Sequence, residues 1–166
     1  MSAIVRRVRA DEGLRLRVLR LRALGDAPSA FGFTLAREEA FAESVWQERA
    51  DRGAAGEDRV TYVAEDGDQW VGMVTGLVDD PDEPRLEVVG MFVAPVARGR
   101  GVGAALLDAV AGWARGRRAA HLRLWVTSTN GPALRLYQRC GFSPTGRTKP
   151  LDHTPAVSEC EMVREL

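Results

Sequence analysis

The sequence predicts an α/β fold, a single domain built on one mixed sheet with helices around it, and three observations carry that expectation. Short β-rich runs alternate with segments of helical period along the 166 residues. The runs 60–65 and 70–78 flank Asp66-Gly67-Asp68-Gln69, and Asp-Gly between two such runs is a hairpin signal. The run from Leu86 to Val93 passes through Pro95 into a glycine-rich loop that opens a helix near Gly101, so strand, loop and helix follow one another directly.

Taken in order, residues 4–8 alternate as a first strand, and Asp11 stands where it can cap a helix beginning near Gly13 with Leu14, Val18, Leu21 and Leu24 on one stripe. A breaker-rich loop, 25–33, carries two phenylalanines. Thr34 then precedes one helix from Leu35 to about Arg52, with Phe41, Val45 and Trp46 at helical spacing. The hairpin follows, and a second turn, 79–84, leads into the 86–93 strand to make a meander. After the glycine loop, Val102, Ala105, Leu106, Ala109, Val110 and Trp113 form one apolar helix face. Residues 121–126 are the next strand, and Asn130 with Pro132 opens a helix that Gly141 ends. Phe142 begins a short strand, 143–155 reads as a long polar loop, and 160–166 is the last strand. The order is β-α-α-β-β-β-α-β-α-β-β.

Composition excludes several classes. Lys+Arg and Asp+Glu balance at 23 each, so no electrostatic case exists for nucleic-acid or membrane binding. No run approaches the roughly 18 apolar residues of a membrane span and the first residues carry no long apolar core, so the protein is expected in the cytoplasm. Cys140 and Cys160 with His121 and His153 show no zinc spacing, so no metal is expected.

The glycine loop has the chemistry of an anion site. The first N–H groups of a helix lack intrahelical partners, and the dipole favours negative charge there. Gly99, Gly101 and Gly103 let backbone come close to a phosphate, and Arg98 and Arg100 add positive charge. A P-loop is excluded because no Gly-Lys-Ser/Thr follows. The dinucleotide fingerprint fits only leniently, since the apolar run 122–126 stands where its ribose-binding acid belongs. A plain connecting turn is the other reading of the loop by itself.

Arg98-x-x-Gly101-x-Gly103 after an apolar strand resembles the coenzyme A loop, Gln/Arg-x-x-Gly-x-Gly/Ala, of the GNAT superfamily of N-acetyltransferases. The block Asn130-Gly-Pro-Ala-Leu-Arg-Leu-Tyr137-Gln-Arg-Cys-Gly141-Phe142 is similar to that family's N-x-x-A-x-x-L-Y-x-x-x-G-F. The resemblance covers residues 4–166 and is strongest over 87–142. It implies a centrally splayed sheet whose gap admits a thioester, with acetyl-CoA as co-substrate. The pantetheine arm would pair with the backbone of Met91, Phe92 and Val93, and the pyrophosphate with Arg98, Gly99, Arg100, Gly101, Val102, Gly103 and Ala104. A bulge at Gly90 would re-aim an N–H at the thioester carbonyl. Asn130 resembles the family asparagine that contacts the coenzyme arm, beside its capping role.

Two side chains are the candidate catalysts. Tyr137, whose phenol stays protonated at neutral pH, is the general acid for a leaving thiolate; a core aromatic on an amphipathic helix is its structural alternative. Glu87, eleven residues before Arg98, has the offset of the base glutamate in the histone-acetylating branch, and as a carboxylate among Leu86, Val88 and Val89 it is expected to face a wet cleft; a solvated strand-end acid is the alternative. Cys140 is a rival nucleophile that packing is expected to keep as a thiol. The expected activity is acetyl transfer to a primary amine of unknown identity, small molecule or protein, by direct attack; the alternative is a non-catalytic acyl-CoA-binding sensor of the same fold. The acceptor is expected between the 25–33 and 143–155 loops, and a homodimer is a possible assembly. Glu38, Glu39 and Glu43 read as a solvated helix face.

Overall fold

The structure is a computed structural model and describes residues 3–79 and 85–166. Among the described residues, seven strands form one sheet in the order β1-β2-β3-β4-β5-β7-β6. These are β1 (Ile4–Arg7), β2 (Arg59–Asp66), β3 (Gln69–Val78), β4 (Leu86–Val93), β5 (His121–Thr127), β6 (Ser143–Leu151) and β7 (Thr154–Glu165). Every pairing is antiparallel except β4 with β5, so the sheet is mixed, as expected. Flanking it among the described residues are the α-helices α1 (Gly13–Asp26), α2 (Leu35–Glu39), α3 (Glu43–Ala55), α4 (Val102–Gly116) and α5 (Gly131–Arg139). The Gly67-Asp68 turn joins β2 to β3 where the hairpin signal lay, with Gly67 at φ 62°. The expected turn at 79–84 lies, beyond Asp79, outside the described residues.

The strand period decides which side chain meets which helix layer. On β3, a Cβ added to Gly72 or Gly76 would meet Leu106, Val110 and Trp113 of α4, so that face belongs to α4. The alternate residues Met73, Thr75 and Leu77 turn to the opposite face, where they share a cavity wall with Leu16 of α1 and Trp46 of α3. On α4, Val102, Leu106, Val110 and Trp113 are buried as expected, whereas Ala105 is exposed.

Four expectations need correction. The helix over 35–52 is two helices, α2 and α3, broken at residues 40–42; Ala42 is extended (ψ 153°) and serves as the N-cap of α3. α1 buries Leu16, Leu19, Ala23 and Leu24, leaving Leu14 58% and Val18 69% exposed. That rotation carries Arg20 inward to Glu38, whose carboxylate it meets at 2.9 Å. Asp11 does not cap α1: Glu12 holds the N-cap position, and its carboxylate accepts from the Arg9 N–H (2.7 Å) and the Arg6 guanidinium (2.7 and 2.8 Å). The polar loop at 143–155 is instead the β6–β7 hairpin, turning at Asp152-His153. β6 is an edge strand, exposed from Ser143 to Pro150 and buried only at Leu151, with Pro144, Pro150 and a register shift around Gly146 (φ 89°); it carries no apolar alternation because over its exposed length neither face joins the core.

Candidate active site

The site begins where β4 parts from β5. Their parallel ladder pairs Leu86 with Leu122, Glu87 with Arg123 and Val88 with Leu124, and stops there. Past that point β4 keeps only its β3 neighbour, and that ladder slips too: Val89 faces Thr75 and Phe92 faces Met73, so Gly90 and Met91 together oppose Val74. Gly90 takes φ 62°, which an L side chain adopts only under strain. The bulge and the splay therefore coincide at Gly90, leaving backbone of Gly90 to Val93 on the β5 side outside any ladder.

Beyond β4, a single 3-10 turn (Pro95–Ala97) leads to the glycine loop, and Gly101 (φ 79°) is the N-cap of α4. Gly99 has φ 77°, and a Cβ at either glycine would point into open space. The first intrahelical bond runs from the Ala105 N–H to the Gly101 carbonyl (3.0 Å), so Val102, Gly103 and Ala104 keep the free N–H groups of a helix start. This cradle fits an anion. Arg98 is fastened to the Val93 carbonyl (2.9 Å) and Asp26 (3.2 Å), and Arg100 to the Val96 carbonyl (2.8 Å) and Asp66 (3.5 Å), so both guanidiniums shape the loop as well as charging it. Gly103 has a packing role: a Cβ there would come within 2.8 Å of Leu136 and 3.3 Å of Met91, so its absence seats α5 against the first turn of α4.

α5 begins with the Asn130 carboxamide oxygen accepting from the Ala133 N–H (3.2 Å) and ends in a left-handed Gly141 (φ 89°), with the Phe142 N–H returning to the Tyr137 carbonyl (3.0 Å). Tyr137 is buried, with its ring edge-on to Phe142 at 5.9 Å between centroids. Burial pushes its phenol above the ordinary value, with the nearby Cys140 adding to the effect. Cys140 is half-buried, and burial raises its thiol as well, so little of it is thiolate. It lines a separate surface cavity with Asp108, Arg139 and Arg164.

Glu87 faces the other side of the sheet, into a cavity of about 300 Å³. This cavity opens between Phe31 and Phe33 on one flank and Lys149 and Asp152 on the other, the two segments expected to bracket an acceptor. Two bonds hold the phenylalanine loop in place: Thr127 Oγ1 donates to the Ser29 carbonyl (2.6 Å), and a His153 ring nitrogen lies 2.7 Å from the Phe31 carbonyl oxygen. Burial, then the charge of Asp79, pushes the Glu87 carboxyl up to about 7, with Lys149 working the other way. A carboxyl at that value is half-ionised near neutrality, as a general base requires.

The far wall was not anticipated from the sequence. Glu38, expected on a solvated face, is fully buried; it accepts from Arg20 (2.9 to 3.2 Å) and Arg49 (2.7 Å). Burial raises its carboxyl, but the two guanidiniums outweigh that and hold it below the usual range. Glu39 and Glu43 are exposed, as expected. Arg20, Arg49, Arg59, Trp46 and Trp125 all line the cavity. Register was the signal for one of them: Arg59 pairs with Leu77 and Leu77 with Glu87, so Arg59 and Glu87 stand in one row on one face.

A mixed sheet splayed at its centre, with a bulged strand feeding a glycine cradle, defines a class of fold that comparison identifies. The family model described as acetyltransferase (GNAT) family matches residues 26–142, and the chain belongs to that family. It is 38% identical over 96 residues to streptothricin acetyltransferase of Streptomyces lavendulae, covering 57% of this chain and 51% of that protein. Of the curated relatives it matches, the chain spans about half the length or less. Among solved structures, nourseothricin acetyltransferase is 35% identical with a TM-score of 0.60 over 65% of each chain. The PaiA N-acetyltransferase of Thermoplasma acidophilum, solved in complex with coenzyme A, shares the fold over 100% of both chains (TM-score 0.77, 13% identity). Among the described residues no helix is long and apolar enough to cross a membrane.

Proposed function

We propose that this protein is an acetyl-CoA-dependent N-acetyltransferase that moves an acetyl group to a primary amine by direct attack. The observation that carries the reading is the place of Glu87: a carboxyl raised to about 7, on the wall of a cavity, three residues before the Gly90 bulge at which β4 leaves β5. The family and a neighbour solved with coenzyme A support acetyl-CoA as the co-substrate.

Each residue then has a task. The Gly99 to Ala104 amides hold the pyrophosphate, and the backbone of Met91, Phe92 and Val93, on the side that faces away from β3, holds the pantetheine arm. The Asn130 amide NH₂ remains for the same arm, since its oxygen is taken by the cap. Glu87, on the α1–α3 face, accepts a proton from the amine, directly or through one water, as the nitrogen bonds to the acyl carbon. Tyr137 is on α5, packed beside α4 on the other face, and it donates a proton to the sulfur as the C–S bond breaks. A protonated phenol suits that step because burial keeps it protonated throughout the working range. The amine needs a base because a lysine-like ammonium is overwhelmingly protonated at pH 7.

The test is amine-dependent release of free coenzyme A thiol from acetyl-CoA over a panel of primary amines, with the acetylated amine identified by mass. Turnover with at least one amine is expected. Tight acetyl-CoA binding with no release from any amine would make the protein an acyl-CoA sensor and defeat the proposal.

A further inference from the structure

The acceptor cavity is electrically two-ended, and its cationic end is incompletely matched. Arg20 and Arg49 share the single Glu38 carboxylate. Arg59 beside them has no ion-pair partner among the described residues, and its Nε is buried without a hydrogen-bond partner. A guanidinium keeps its charge at any working pH, so burying one without an anion costs free energy. Burial and the charges of Arg52, Arg49 and Arg20 all act against that charge, with Asp58 only partly offsetting them. The Trp46 indole N–H, on a fully buried ring of the same wall, is a second donor without a partner. Both of those atoms are enclosed in the wall, so what the cavity meets is the rest of the half-buried Arg59 guanidinium, whose surplus positive charge asks for an anion. The opposite end carries Glu87, Asp152 and Glu159, with Lys149 drawn toward Glu159 at 3.9 Å. Only Leu77 separates Arg59 from Glu87 in their row, which at the usual strand spacing puts their Cα atoms about 10 Å apart.

We infer that the acceptor amine also carries a carboxylate, in the manner of an amino acid, with the carboxylate seated against the Arg59 guanidinium and the amine toward Glu87 and the Gly90 bulge. The inference rests on the transfer reading above and adds the substrate class. A polyamine or an uncharged amine leaves Arg59 unmatched, and a polyamine sets positive charge against three arginines.

Matched pairs test this: α- and ω-amino acids, each against its carboxamide and its decarboxylated amine, with kcat/KM read from coenzyme A release. The amino acid of at least one pair is preferred by roughly ten- to hundredfold, the size of a charge-assisted hydrogen-bonded contact. Arg59→Gln erases that preference, mainly through KM, and Arg59→Lys restores part of it. Amides or decarboxylated amines used as well as their acids overturn the inference, as does a folded Arg59→Gln that keeps the full preference. If the variant fails to fold, the parent's own preference decides. If no amine releases coenzyme A, the transfer reading fails separately, and calorimetric titration of the same pairs onto the coenzyme A-saturated protein still decides: selective binding of the acids upholds the site, and equal or absent binding overturns it.

Discussion

Replacing Glu87 by Gln gives a stability change that depends on pH in a direction the structure dictates. The Glu87 carboxyl is moved from 4.5 to about 7, chiefly by burial, so the folded chain holds that proton more tightly than the unfolded chain by about 3 kcal/mol. The side chain keeps some contact with water in the cavity, which reduces the figure to roughly 2 kcal/mol. Because the folded value is the higher one, the folded state binds more protons between 4.5 and about 7, and the parent loses stability as pH rises through that window. Below it the proton is on in both states and no penalty exists; above it the full cost of a half-buried carboxylate applies. Gln has nearly the same shape and never ionises. Urea unfolding at pH 4.5, 6, 7 and 8.5 measures the difference between Glu87→Gln and the parent, in which the other titrating groups cancel. That difference should move in favour of the variant by roughly 2 kcal/mol across the series and be flat above pH 8. A difference constant with pH would show that Glu87 titrates normally and that its partial burial does not shift it.

The remaining predictions concern the other parts of the site. Coenzyme A at 100 times its Kd adds about 2.7 kcal/mol to the folded state and raises Tm, with NAD and ATP doing much less; equal shifts from all three would mark a nonspecific phosphate site. Gly101→Val abolishes the coenzyme A shift, since a β-branched side chain at φ 79° strains the backbone of the cradle, and an unchanged shift would reduce the loop to a connector. Tyr137→Phe lowers kcat about 10²-fold or more with coenzyme A affinity retained, measured by rapid quench and titration; an unchanged kcat assigns Tyr137 to packing alone. Glu38→Ala leaves Arg20 and Arg49 facing each other without their carboxylate and costs about 3 to 5 kcal/mol in urea unfolding, and a loss below 1 kcal/mol would show that the pair is not held there.

What could be read in the sequence was what depends on local backbone chemistry. The glycine cradle, the Asp-Gly turn, the Asn130 cap and the Gly141 stop each declare themselves through one residue type in one position, and the structure has each of them there. Glu87 was singled out by its offset from Arg98 in the resemblance, and its place on a cavity wall follows because a carboxylate in an apolar strand has few places to go. Features that depend on partners distant in sequence were not legible. β6 lacks an apolar period because it is an edge, and its pairing is supplied by β7. The stripe of α1 was misplaced because its leucines and arginines fit two rotations, and the choice between them is made by Glu38, 18 residues beyond Arg20. Glu38 itself read as a surface acid because nothing nearby in sequence announces that two arginines will meet it in the core. Arg59 and Trp46 belong to the same category, since their place at the cavity follows from strand register and from the packing of α3.

The central claim is that amine and thioester meet in one complex, without an acetyl group passing through the protein. Initial rates over a grid of acetyl-CoA and amine concentrations, read with the intact mass of the protein after acetyl-CoA alone, test it most directly. Intersecting double-reciprocal lines and an unmodified protein are expected, with Cys140→Ala costing stability but leaving the chemical step, because burial keeps that thiol protonated and it opens on a different cavity from Glu87. Parallel lines with an acetyl group trapped on Cys140, and a folded but inactive Cys140→Ala, would contradict it.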